Sequence, residues 1–240
     1  MRVSVIVPTY NEADSLPELA GRLFAALASA GLEGELVVVD DSSPDGTGEV
    51  AEGLARQFPV QVVHRPAKSG LASAVLDGMA RAGGGILAVM DADLSHPPEV
   101  IPQLVAAIAE GADLAVASRY VPGGGVRNWP WLRRFASWTA GLLARPFVPV
   151  RDATSGYFAL RREVLEGASL DPIGFKIGLE VMAKGRYRRF VEVPYIFQDR
   201  RHGKSKFGPR EVGNYLRQLG RLLRARRGRG ARKTTRDSQR

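Results

Sequence analysis

The chain has 240 residues, 45% of them hydrophobic, and a formal net charge of +9. That length and apolar content fit one large domain with a substantial core, and the complete lack of Cys excludes disulfides, thiol nucleophiles and Cys-ligated zinc. The charge is uneven: residues 217–240 hold ten Lys or Arg and one Asp, so residues 1–216 balance at 24 basic and 24 acidic. A neutral body with a basic tail argues against a nucleic-acid groove across the domain and suits a tail that meets an anionic surface. The three histidines, His64, His96 and His202, show no metal-ligand spacing and are read as structural or polar. The N-terminus enters a strand at once, so no signal peptide is expected. No apolar run approaches the roughly 18 residues needed to cross a bilayer; the longest candidate, Thr139 to Val150, is broken by Arg145 and two prolines.

In chain order, a strand over Val3 to Pro8 runs into the polar Thr9 to Glu12. Ser15-Leu16-Pro17-Glu18 has the capping-box pattern, and Leu16, Leu19, Leu23, Phe24 and Leu27 then recur at helical spacing. A second strand, Leu36 to Val39, ends in Asp40 to Thr47 and is followed by a helix to Phe58. A third, Val60 to Val63, leads through Lys68-Ser69-Gly70 into a helix ending near Ala82. The apolar run Ile86 to Met90 is a buried strand that ends on Asp91 and Asp93; Pro97-Pro98 then start a helix to about Ala109. Leu114 to Ser118 is the fifth strand. Strands alternating with helices predict an α/β fold whose mostly parallel sheet is covered on both faces. Further on, the pattern predicts strands at Thr154 to Leu160 and Val191 to Pro194. It also predicts helices at Gly174 to Lys184, with Glu180 among apolar residues, and at Glu211 to about Arg227.

Ligands of such sheets bind beyond the carboxyl ends of the strands. Four polar clusters fall there: Thr9 to Glu12, Asp40 to Asp45, Asp91 to Ser95, and Ser118-Arg119. Two carboxylates as close as Asp91 and Asp93 repel unless a cation lies between them. Hard oxygen donors favour Mg²⁺ or Mn²⁺, which keep water and also take phosphate oxygens as ligands. The plainer alternative is a strand-end turn with a helix cap. Glu12 and Asp41 suit the N–H and O–H groups of a nucleoside, with Tyr10 against its base; helix N-terminal capping is the alternative for both. Neither a Gly-x-Gly-x-x-Gly after the first strand nor a Walker lysine is present.

Val7-Pro8-Thr9-Tyr10-Asn11-Glu12, Val39-Asp40-Asp41-Ser42-Ser43-Pro44-Asp45-Gly46-Thr47 and Asp91-Ala92-Asp93-Leu94-Ser95-His96-Pro97-Pro98-Glu99 resemble family 2 glycosyltransferases of the GT-A fold. Within them the likeness is to the dolichol- or polyprenol-phosphate mannose synthases. Gly123 to Trp131 and Asp199 to Lys206 continue the match, which covers roughly residues 2 to 220. The resemblance implies a GT-A domain over 1–223 that moves mannose, with inversion, from GDP-mannose to a polyprenyl monophosphate. It implies that Pro8, Tyr10, Glu12, Val39 and Asp41 line the nucleoside pocket. Asp91, Ala92 and Asp93 would hold the donor diphosphate and the metal, with Ser95 beside the metal, although many relatives have Gln where this chain has Ser95. Arg119 and Arg133 would hold the acceptor phosphate and, with Asp93, form the catalytic set. Arg200 and Lys206 would close over the donor from a loop containing Gly203, Ser205 and Gly208. The resemblance further implies a peripheral protein on the cytoplasmic face of a membrane, leaving room for a membrane-anchoring partner. The alternatives are a polyprenyl-phosphate glucosyl- or N-acetylhexosaminyltransferase using a UDP-sugar, and a non-catalytic, membrane-docked subunit that binds a nucleotide sugar.

Residues 127–148 hold all three Trp of the chain, Trp129, Trp131 and Trp138, interleaved with Arg127, Arg133, Arg134 and Arg145. Leu132, Phe135, Trp138 and Leu142 share one face of a helix. That composition fits either a helix lying in the headgroup layer or an amphipathic helix docked with its Trp in the core; a lipid-linked acceptor favours the first. Residues 224–240, basic and Gly-containing, are expected to be disordered.

Overall fold

Residues 1–171, 176–198 and 212–224 are described by the computed structural model. The strands are β1 (Arg2–Thr9), β2 (Glu33–Asp40), β3 (Val60–His64), β4 (Ile86–Val89), β5 (Leu114–Ser118), β6 (Gly125–Val126), β7 (Phe158–Arg161), β8 (Phe190–Pro194) and β9 (Ile196–Phe197). The helices are α1 (Leu16–Ser29), α2 (Thr47–Leu54), α3 (Leu71–Arg81), α4 (Ile101–Ala109), α5 (Trp131–Ala144) and α6 (Ile177–Lys184), and residues 212–224 are also helical. A seven-stranded sheet runs β3-β2-β1-β4-β7-β5-β8, and β6 pairs with β9 beside it.

Side chains alternate across each strand, and both faces of the sheet are buried. Val3, Val5 and Val7 of β1 and Leu36 and Val38 of β2 pack with Leu16, Leu19 and Leu23 of α1. Ile6, Val37 and Val39 point the other way and pack with Val75 and Met79 of α3. The near-continuous apolar strands therefore report two-sided cover, as expected. On the second face α3 lies close to the sheet. A Cβ on Gly78 would sit 2.5 Å from Ile6 Cγ2 and 2.9 Å from Val39 Cγ2, so only glycine permits that approach.

Two local expectations change. Ser15 makes no side-chain cap to α1; its hydroxyl donates instead to the Glu12 carbonyl at 3.2 Å and to Glu12 Oε2 at 3.0 Å. The turn before the helix already occupies the hydroxyl, so the capping-box pattern serves the Glu12 turn. The strand predicted over Thr154 to Leu160 begins only at Phe158 and runs antiparallel to both β4 and β5. Strand direction has no local signature in the sequence. Its consequence for the site is direct: because β7 is reversed, the turn over 152–157 arrives at the same edge as the carboxyl ends of β4 and β5.

Candidate active site

At the tips of β1 and β2, most acidic groups are spent on joining loops. Asp40 Oδ1 accepts from Ser43 Oγ at 2.5 Å and Thr9 Oγ1 at 3.2 Å; Asp45 accepts from the backbone N–H of Ala13 at 3.2 Å and of Thr47 at 3.1 Å. Asp41 is buried, and its carboxylate accepts from Arg65 Nη1 at 2.7 Å, the Ser69 N–H at 3.0 Å and the Gly70 N–H at 2.9 Å. A nucleoside at this carboxylate would share it with three protein donors. Arg65 is itself held by Asp77 at 2.9 Å and Ser73 at 2.8 Å, so the start of α3 is tied to the tip of β2. Pro8 and Val39 are register partners at these tips. The Glu12 N–H donates to Thr47 Oγ1 at 2.9 Å. Lys68 Nζ stands 3.3 Å from the centre of the Tyr10 ring, a cation–π contact that sequence reading missed because Lys68 reads there as a connection.

β4 ends at Val89, and the Met90 N–H still reaches the Ile6 carbonyl at 3.2 Å. The next N–H, of Asp91, has left the ladder and donates to His96 Nδ1 at 3.0 Å. Asp93 Oδ1 accepts the Ser95 N–H at 3.0 Å, and Leu94 between them holds φ +60°, in the left-handed region. Ala92, Asp93, Ser95 and His96 are buried while the Asp91 side chain is partly exposed. The His96 ring stacks on Tyr157 at 4.8 Å and meets Tyr195 and Phe197 edge-on at 5.9 and 6.0 Å. Burial pushes the His96 pKa down against the pull of Asp91 and Asp93. Nδ1 accepts an N–H, so the 3.9 Å approach of Asp91 Oδ2 to that nitrogen is not an ion pair.

A divalent cation fits what is here. The donors are hard oxygens, Asp91 and Asp93, and the buried Ser95 hydroxyl has no hydrogen-bond partner. Among the described residues no three His, Cys, Asp or Glu gather into a cage. Mg²⁺ and Mn²⁺ sites of this kind are completed by water and substrate phosphate.

Beyond β5, Arg119 and Asp152 form a buried bidentate pair: Nε to Oδ2 and Nη2 to Oδ1, both 2.7 Å, with the Arg119 backbone N–H also on Oδ2 at 3.0 Å. Thr154 Oγ1 takes a further bond from Nη2 at 2.8 Å. Burial alone would weaken the Arg119 charge, but Asp152 overrides it and raises its pKa; in the same way Arg119 lowers the Asp152 pKa despite burial. Asp152 was invisible as a site residue because its partner lies 33 positions away. Trp129 stacks under Arg133, 4.2 Å from ring centre to guanidinium, and touches Phe197 at 5.1 Å. Between Arg119 and α5 opens a cleft of about 510 Å³ lined by Arg119, Tyr120, Val126, Arg134, Phe135 and Trp138. The outer face of α5 is exposed and apolar, Trp131 by 73% and Phe135 by 60%, with Leu132, Trp138, Leu142 and Leu143 beside them.

Glu180 is buried and consumed by its neighbours. It pairs with Lys184, accepts the Asp171 N–H at 3.2 Å and accepts from Gln218 at 3.3 Å. Arg200 and Lys206, with Gly203, Ser205 and Gly208, lie outside the described residues, as does the tail from 225 onward; Arg224 is helical.

The chain matches the glycosyl transferase family 2 model over residues 4–167. It is 50% identical over 227 residues to a dolichol-phosphate mannosyltransferase of Pyrococcus furiosus, covering 93% of this chain but 64% of that protein. It is 43% identical over 243 residues to a polyprenol monophosphomannose synthase of Mycolicibacterium smegmatis, covering 94% of this chain and 90% of that one. In fold it is similar to glucosyl-3-phosphoglycerate synthase of Mycobacterium tuberculosis solved with Mn²⁺, UDP and glucosyl-3-phosphoglycerate, with TM-score 0.66 and 24% identity over 94% of this chain and 80% of that one. The sheet with its carboxylates at the strand tips is therefore no chance likeness: this chain belongs to glycosyl transferase family 2.

Proposed function

We propose that the chain transfers mannose from GDP-mannose to a polyprenyl monophosphate at a membrane surface, with inversion at the anomeric carbon. One observation carries this beyond the names of its relatives: a cleft lined by Arg119 and Arg134 and by the apolar Val126, Phe135 and Trp138 opens between the end of β5 and α5, whose outer face is exposed and apolar. A phosphate on a long hydrocarbon needs that pairing of cations with apolar surface.

In this reading Pro8, Tyr10, Glu12, Val39 and Asp41 receive the nucleoside, and Asp91, Ala92 and Asp93 face its diphosphate. A bound Mg²⁺ or Mn²⁺, held by Asp91, Asp93 and the Ser95 hydroxyl, would neutralise charge on the departing diphosphate. Arg200 and Lys206 would add to that neutralisation. Arg119, fixed by Asp152, and Arg133, laid on Trp129, orient the acceptor phosphate. Val126, Phe135 and Trp138 offer the first isoprene units an apolar wall. The nucleophile needs no base. A phosphate monoester, with second pKa of about 6, is already anionic at neutral pH, and Glu180 is occupied by Lys184 and Gln218. In-line displacement on an α-linked donor gives a β-linked product.

The exposed face of α5 supports docking on lipid headgroups, and Tyr215 of the 212–224 helix supports α5 from behind by donating to the Ala140 carbonyl at 2.5 Å. No helix among the described residues is long and apolar enough to cross a membrane. The test is transfer of radiolabelled mannose to a short polyprenyl phosphate in detergent, run against UDP-glucose and UDP-N-acetylglucosamine. Transfer from GDP-mannose alone is the expected result; preferential use of a UDP-sugar, or donor binding without transfer, would overturn it.

A further inference from the structure

The segment from Asp91 to Pro97 has to solve two local problems. Asp91 is the first residue past β4 whose N–H finds no strand acceptor, and a buried N–H left unpaired is costly. Leu94, a bulky residue at φ +60°, holds a strained backbone conformation, which persists only where neighbours over-determine the backbone. Both problems are met by one cluster of rings built around His96 and Tyr157. His96 Nδ1 takes the Asp91 N–H across five residues. Its ring is clamped by Tyr157, Tyr195 and Phe197, and the Tyr157 hydroxyl donates to the Pro97 carbonyl at 2.8 Å, pinning the far end of the loop. Both ends of the Asp91–Pro97 segment are thus tied to a single buried ring cluster.

We propose that His96 is a positioning residue: by accepting the Asp91 backbone N–H on Nδ1, it sets the relative placement of the Asp91 and Asp93 carboxylates that a divalent cation and a diphosphate require. The inference rests on the assignment of those carboxylates to cation and diphosphate. It also defines the tautomer, with Nδ1 bare and the proton on Nε2. A packing role alone would need the ring but not the acceptor atom, and the two can be separated. His96→Phe keeps a stacking ring and loses the acceptor. His96→Asn loses the ring and keeps an acceptor oxygen at nearly the position of Nδ1.

The experiment measures Mn²⁺ binding in the presence of GDP by the loss of the free Mn²⁺ resonance signal, alongside thermal unfolding of each variant. Outer-shell groups that orient ligands typically change metal affinity 10–100-fold, so His96→Phe is expected to bind Mn²⁺ at least about tenfold more weakly. His96→Asn should stay within a few-fold of the parent chain, although its Tm falls further. Equal Mn²⁺ affinity in His96→Phe and the parent, or an equal loss in both variants, overturns the role of the acceptor atom. Failure of the parent chain to bind Mn²⁺ with GDP would instead remove the assignment of Asp91 and Asp93 on which it stands. Nitrogen NMR of ¹⁵N-histidine-labelled parent protein gives a reading that needs no variant: the Nε2–H tautomer is expected, and an Nδ1–H tautomer refutes the proposal.

Discussion

Asp152 meets Arg119 three times, twice at the guanidinium and once at the backbone N–H, in a site with no exposure of the carboxylate. Removing one partner of a buried pair strands the other charge, at a typical cost of about 3–5 kcal/mol. Asp152→Ala is expected to lose stability in that range in urea unfolding, and Asp152→Asn less, since its amide oxygen still accepts. The pair also sets a pH dependence. The folded-state pKa of Asp152 is depressed, so the unfolded chain binds the proton more readily. Its contribution is fully present above the ordinary Asp value of about 4 and drains away as pH falls below it. In Asp152→Asn the stability–pH curve below about pH 4 should be flatter.

The carboxylate loop makes the sharpest prediction for catalysis. Asp93→Asn keeps the shape of the side chain and the acceptor for the Ser95 N–H, but removes a charge from the proposed cation site. Stabilisation of leaving-group charge by a metal is worth several kcal/mol, so transfer should fall at least about a hundredfold. EDTA should stop the parent enzyme, and added Mn²⁺ should restore it. Unchanged transfer by Asp93→Asn in EDTA would rule the cation out of the reaction.

Gly78 marks where α3 presses on β1 and β2. Gly78→Val must push Ile6 and Val39 aside, and overpacking of this kind costs about 1–3 kcal/mol. Denaturant unfolding should report that loss with an unchanged m-value. No loss would mean that α3 can lift off the sheet freely.

The outer face of α5 predicts a separation of stability from membrane affinity. Trp131→Glu with Phe135→Glu alters exposed positions, so unfolding stability should move by no more than about 0.5 kcal/mol per site. Cosedimentation with anionic vesicles should nonetheless be lost. In the parent chain, high salt should release part of the bound protein, because arginines add an electrostatic component.

What the sequence disclosed and what it hid divide along the range of the interactions. Leu114 to Ser118 was read to the residue, and the other early strands to within a few residues of their ends, because continuous apolar runs bounded by turns carry the information locally. The four strand-tip clusters were visible because a parallel sheet with short connections puts carboxyl ends on one edge. Asp152, Lys68 and His96 were not recognised for what they do. Asp152 finds Arg119 only through the reversal of β7, Lys68 finds Tyr10 only through the fold of the β3–α3 connection, and His96 reads as an isolated histidine until Tyr157, Tyr195 and Phe197 arrive around it. The helical period of residues 131–144 was plain, but periodicity cannot say whether an apolar face looks inward or outward; α5 looks outward.

The position of β7 bears on how the protein is made. β4 and β5 stand on either side of a strand that the ribosome delivers only at residue 158, well after both. Until then each offers an unpaired apolar edge, the kind that recruits other chains, and closing the gap requires a contact across some seventy residues, which is slow. A fragment ending near 150 should therefore self-associate, and the nascent chain has reason to be shielded until its middle strand slots home.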